Sequence, residues 1–265
     1  MNKKYLRTLH SSARIVPALP SPAIQTPAMK VFSPQSALLV FTALMTFVPV
    51  TLQAQSQAAT PSQTPAPKSA PNAAPPKYTE EQMQEMIGKL QDRIKKAADS
   101  VIGRIQKEEA GVHLKFSYFR KPERLDPNTY GSKEDVVAWR DSLQKLKDQE
   151  SGLDKLYADA EQDLGNALVQ QRVNQSIADQ IKNELLKTFP WAVIKRKSSL
   201  MRDFIAEHDD LLTFYDKNWG SWQRASEGNV PIFADPKVAA TFQALKDKTN
   251  ATGGQIEEQY KMMMQ

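Results

Sequence analysis

The 265-residue sequence contains no cysteine. It can form no disulfide, no thiolate metal ligand and no cysteine nucleophile, and it lacks the cysteine that a bacterial lipoprotein would carry. Its stability has to come from a hydrophobic core, and residues 78–265 are numerous enough to build one. Glycine is scarce, at 10 residues. No Gly-rich phosphate loop, Walker motif or Gly-x-Ser-x-Gly turn occurs, so no cofactor is expected and the common nucleotide and acyl-transfer chemistries lack their parts. Histidine is equally rare, with three in all, and only His113 and His208 lie beyond position 77. No His-Glu-x-x-His, Glu-x-x-His or EF-hand pattern surrounds them, so no metal site is expected.

An excess of positive charge is also missing where it would matter. The whole chain carries +5, but Lys3, Lys4, Arg7, Arg14 and Lys30 are the only charged residues before position 59. The remaining 30 basic residues balance 30 acidic ones. A nucleic-acid binder needs a positive surface that displaces counterions, so nucleic acid is not an expected partner.

What is present begins with an uncharged span between Lys30 and Lys68. Inside it, Ala37–Leu52 is strongly apolar but shorter than the ~20 residues that cross a bilayer. Small residues follow, and Ala54-Gln55-Ser56 and Ser56-Gln57-Ala58 both suit signal peptidase. This is the pattern of a cleaved secretory signal. The protein is therefore expected to be exported, periplasmic or secreted. The alternative is one N-terminal transmembrane anchor at residues 37–52, the only membrane contact foreseen. Residues 1–28 are too long for an ordinary basic n-region, and Met29-Lys30 would give a signal of normal proportions, so translation is expected to start at Met29.

Three regions follow: a targeting region (1–54), a spacer (55–77) and a folded part (78–265). Twelve of the 23 spacer residues are Pro or Ala, and none is aromatic or a large aliphatic. With nothing to bury, the spacer cannot offset its ordering entropy.

The folded part repeats one pattern. Thr79 with Gln82 forms a capping box, and Met83, Ile87, Leu90, Ile94, Ala97 and Val101 then step by four and three. Val112–Tyr118 alternates like a strand, but a helix continuing through Phe119 to Pro122 is the more economical reading. Ser132 and Asp135 cap a second helix whose stripe runs from Val136 through Trp139, Leu143 and Leu146 to Leu164 and Ala167. Glu150 alone is out of character in that stripe. Ile177, Ile181 and Leu185 resume it up to Phe189-Pro190, and a further helix is expected from Trp191 to Trp222. Asp235-Pro236 starts a last helix that Gly253-Gly254 should weaken or break. The predicted fold is all-α: an antiparallel bundle of four to five long helices with coiled-coil-like heptad packing.

Two surface features stand out. Lys195, Arg196 and Lys197 place cations near a helix start, where the dipole disfavours them, so an anionic group or partner carboxylate could compensate; pairing with acids on a neighbouring helix is the commoner case. Tyr215, Trp219 and Trp222 belong to the densest aromatic cluster, either a packed bundle end or a binding platform. Glu207-His208-Asp209-Asp210 could be drawn as a metal cluster, but His208 falls on the apolar face and reads as a hydrogen-bonded core residue. The expected function is non-enzymatic: a structural, adaptor or chaperone-like protein that binds a protein partner or itself. The alternative is a ligand-sensing bundle that holds a small anionic or aromatic molecule between helices, near Lys195, Arg196 and the Trp219–Trp222 end. An enzyme should show a polar pocket with a perturbed carboxylate or histidine, and a scaffold an exposed apolar seam.

Overall fold

The computed structural model describes residues 78–225 and 230–264. Among them are five α-helices: α1 (Glu80–Phe119), α2 (Lys133–Gln170), α3 (Gln175–Lys187), α4 (Trp191–Lys217) and α5 (Pro236–Met263). One two-stranded antiparallel ribbon joins the last two helices, β1 (Trp222–Arg224) with β2 (Pro231–Phe233). The described residues are all-α in architecture apart from this ribbon. The targeting and spacer readings fall on residues 1–77, outside the described residues.

The local signals account for most helix ends. Thr79 and Gln82 form the expected capping box, and so do Ser132 and Asp135. Each satisfies two backbone N–H groups that would otherwise be orphaned. Asp235 accepts from the Lys237 N–H, with Pro236 at the first helical position. The segment Val112–Tyr118 is helical, in line with the economical reading.

Two expected boundaries are corrected. The helix predicted to reach Trp222 stops at Lys217. Gly220 then adopts φ +82°, a left-handed turn that costs glycine little, and the chain reverses into the ribbon. The expected break at Gly253-Gly254 is absent, because α5 continues through both. A side chain at Gly253 would meet the Arg120 side chain at 2.9 Å. Glycine there lets Arg120 lie across α5 and reach Glu257, and that packing outweighs its low helix propensity of about 1 kcal/mol.

Cross-helix contacts fix the directions. Arg104 pairs with Asp163, and Tyr157 bonds to Glu109, so α1 and α2 run oppositely. Lys182 meets Glu161, Ser198 meets Asp154 and Arg140 meets Asp209. Thus α3 and α4 both run against α2, as one helix interrupted at Phe189-Pro190. The ring of Pro190 has no N–H to continue the ladder, and Trp191 stacks on Phe189 at 5.0 Å. Arg196 to Gln255 and Lys248 to Glu207 place α5 against α4 in the opposite sense.

The molecule therefore has two halves along its length. One is built from α1, α2 and α3, the other from α1, α2, α4 and α5. Ile105, Val112, Phe116, Leu146, Leu153, Leu164, Phe204, Leu211 and Ile256 are at most 1 % exposed and form one continuous core. Each such side chain contributes roughly 1.5–3 kcal/mol by leaving water. The first fourteen residues of α1, 80–93, include no buried residue; burial starts at Ile94.

Candidate functional site

The most unusual chemistry lies where the two halves meet. Lys197, six residues into α4, is fully buried, as is Glu109 of α1, and Glu150 of α2 is 2 % exposed. The heptad stripes deliver them there. Glu150 follows Leu143 and Leu146 on the inward face of α2, and Glu109 follows Val101 and Ile105 on that of α1. A buried charge has to be paired, since desolvating it alone costs many kcal/mol.

The pairing is unequal. Lys197 Nζ donates to Glu109 Oε1 at 2.9 Å and, at a longer 3.4 Å, to Glu150 Oε2. Glu109 Oε2 accepts from the Tyr157 hydroxyl at 2.6 Å, a short charge-assisted bond. Both Glu109 oxygens are satisfied. Glu150 Oε1 lies 3.3 Å from Lys197 Nζ but without hydrogen-bond geometry, and no other group serves it. Tyr260, three residues before the end of α5, closes the fourth side, with Lys197 Nζ 5.7 Å from its ring centroid. Its hydroxyl makes no well-formed hydrogen bond.

Electrostatics follow from that geometry. Burial raises the pKa of Glu150, Glu109 and Asp154 add to the rise, and Lys197 opposes it. Burial also pushes the Tyr157 and Tyr260 phenols far up, with Glu109 adding to both, so both stay neutral and Tyr157 serves as a neutral donor to Glu109. Beside the cluster His113 packs edge-on to Tyr260 at 4.3 Å, and partial burial lowers its pKa.

The structure separates the residues singled out from sequence. Lys195 and Arg196 are exposed, and Arg196 donates to Gln255 at 3.1 Å. Lys197 is no surface cation: it points inward to the two carboxylates. Of the three, Lys197 is compensated by carboxylates on neighbouring helices, and Arg196 bonds to a neutral amide on α5. Tyr215 is fully buried, and its ring lies 5.3 Å from Tyr130. Trp219 and Trp222 are half-buried against each other, and Trp222 also meets Tyr215 and Phe233. This cluster packs the bundle end around Phe214 and Phe242. Lys195 lies near the start of α4 and Trp219 two residues past its end, separated by about 33 Å of helix from Lys195 to Lys217 at 1.5 Å per residue. They cannot contact one small ligand between them.

His208 is buried as expected but not hydrogen-bonded. Neither ring nitrogen has a partner, Phe119 and Phe204 enclose it at 5.2 and 5.6 Å, and burial pushes its pKa down to about 4. Among the described residues no three His, Asp or Glu side chains stand close enough to hold a metal. None of the described helices is long and apolar enough to cross a membrane.

The charged cluster is sealed. Two clefts stand out on the surface. One, of about 680 Å³, lies between α2 and α3, lined by Asp159, Glu161, Gly165, Asp179 and Lys182 among others. The second lies beside Lys187 and Trp191. No member of the charged cluster lines either cleft. Glu109 and Tyr260 were missed from sequence, although Glu109 stands in its apolar stripe just as Glu150 does in its own. No protein-family model, curated protein or solved structure matches this chain.

Proposed function

We propose that the chain is an exported cell-envelope protein without enzymatic activity, whose antiparallel bundle serves as a scaffold or adaptor by binding another protein. The observation that carries this reading is the free end of α1. Met83 and Met86 are 46 % and 41 % exposed and Ile87 is half-buried beside them, before Leu90 begins to pack against the core; the fourteen residues extend about 21 Å without a fully buried side chain. Positions i, i+3, i+4 and i+7 are how an amphipathic helix presents anchors to an apolar groove. A perturbed carboxylate and a perturbed histidine do occur, but neither of the two clefts described above reaches the carboxylate cluster, which weighs against catalysis.

The partner is a protein that brings its own groove. Two exposed methionines and a half-buried isoleucine offer roughly 200 Å², so two copies pairing like with like bury about 400 Å², well below the ~1,000 Å² that specific interfaces need. A groove encloses the helix on three sides and buries more. Glu80, Glu81 and Glu85 on the same segment favour a basic rim around it. Export rests on the uncharged apolar stretch Ala37–Leu52 and the spacer behind it.

Crosslinking and pull-down from the native envelope fraction tests this, with wild-type protein beside Met83→Glu/Met86→Glu. A partner held by wild type and lost in the variant is expected. Equal capture by both, or none by either, refutes the reading, and a product confined to the cytosol refutes export.

A further inference from the structure

The charged cluster where the two halves meet has one more negative group than positive. Two carboxyls, Glu109 and Glu150, share the single ammonium of Lys197, and among the described residues no other cation pairs with either. The groups that face it can be named helix by helix. From α1 come Glu109 and, at the rim, His113. From α2 come Glu150, Tyr157 and Asp154, the last already bonded to Ser198 and Arg202. From α4 comes Lys197, and from α5 Tyr260, with Glu257 drawn outward to Arg120. Tyr157 and Tyr260 are neutral, and His113, its pKa lowered by burial, adds no charge at neutral pH.

The hydrogen bonds show which carboxyl is left over. Glu109 has a close ammonium on one oxygen and a phenol on the other. Glu150 has one long contact, and its other oxygen is buried without a partner. A buried carboxylate served so poorly is costly, and neutralising it removes that cost.

We propose that Glu150 is a buried proton-binding site at the junction of α1, α2, α4 and α5, and that the folded protein holds one proton there to a higher pH than at any of its other glutamates. The proton comes from solvent on folding and returns to solvent on opening. Because the folded state binds it more tightly than the unfolded chain, the contribution to stability is complete below the ordinary glutamate range. It is lost as pH rises through the folded-state value. Alkaline pH therefore weakens this junction first, where α5 ends and α3 breaks into α4.

Carboxyl ¹³C NMR on glutamate-labelled full-length protein, with resonances assigned through bonds, tests this. One glutamate carboxyl, that of Glu150, should titrate above all the others. Glu150→Gln, which keeps the shape of the neutral acid, should lack that resonance. It should also melt at least about 2 °C above wild type at pH 8.5 and within 1 °C of it at pH 4.5, where about 2 °C corresponds to a fraction of a kcal/mol for a domain of this size. A Glu150 carboxyl titrating with the rest, or a variant that loses the same stability at both pH values, overturns the proposal. If the variant does not fold, the wild-type titration decides alone.

Discussion

Lys197→Met removes the only cation between Glu109 and Glu150 while preserving most of the side chain's length and packing. Breaking a buried pair by deleting one partner costs about 3–5 kcal/mol. An independent route gives a similar figure. If the variant has to neutralise one buried carboxyl, doing so at pH 7 costs about 3.7 kcal/mol for the ordinary glutamate value near 4.3, at 1.36 kcal/mol per pH unit. For a folded part of this size the melting temperature should fall by roughly 7–15 °C. The same arithmetic at pH 5 leaves only about 1 kcal/mol, since the proton is then nearly free. The assay is thermal and urea denaturation of both proteins at pH 7.0 and 5.0. A loss below 1 kcal/mol at pH 7, or one that does not shrink on acidification, would refute the idea that Lys197 compensates the buried Glu109 carboxylate.

Three further outcomes follow. His208 is held at about 4 in the folded protein, so the unfolded chain binds the extra proton between about 6.5 and 4, and stability falls as pH drops through that window. His208→Leu should flatten this acid limb, worth about 2 kcal/mol at pH 5, as melting temperature against pH will show. Gly254→Ala meets open space and should gain about 1 kcal/mol of helix propensity. Gly253→Ala must displace Arg120 and should gain less; equal gains would contradict the packing described. Met83→Glu/Met86→Glu should change stability by no more than about 0.5 kcal/mol, since both residues are exposed, and circular dichroism melts will check it.

The helices were legible because their signals are local. Thr79 with Gln82, Ser132 with Asp135 and Asp235 with Pro236 mark starts through bonds made within three residues. The stripes from Ile94 to Val101 and from Val136 to Leu164 record burial directly. The ribbon was missed because β1 is three residues long and its pairing with Phe233 is invisible in the sequence around Trp222. Gly253 was misread because its reason sits just past the end of α1, at Arg120. The charged cluster was half visible. Glu150 interrupts an otherwise apolar stripe, but Lys197 sits in a run with two exposed cations and reads as surface until Ile194 and Met201 are seen to share its face. What makes these a site is convergence of four helices, and no one helix encodes that.

The proposal that this chain works by offering the free end of α1 to a groove is tested most directly by a scan of photo-crosslinking residues along that helix in the native envelope. Positions 83 and 86 should form adducts with one partner, and positions 95 and 99, exposed on the bundle-flanking turns beyond, should not. Adducts distributed evenly over all four positions, or found only between copies of this chain, would contradict it.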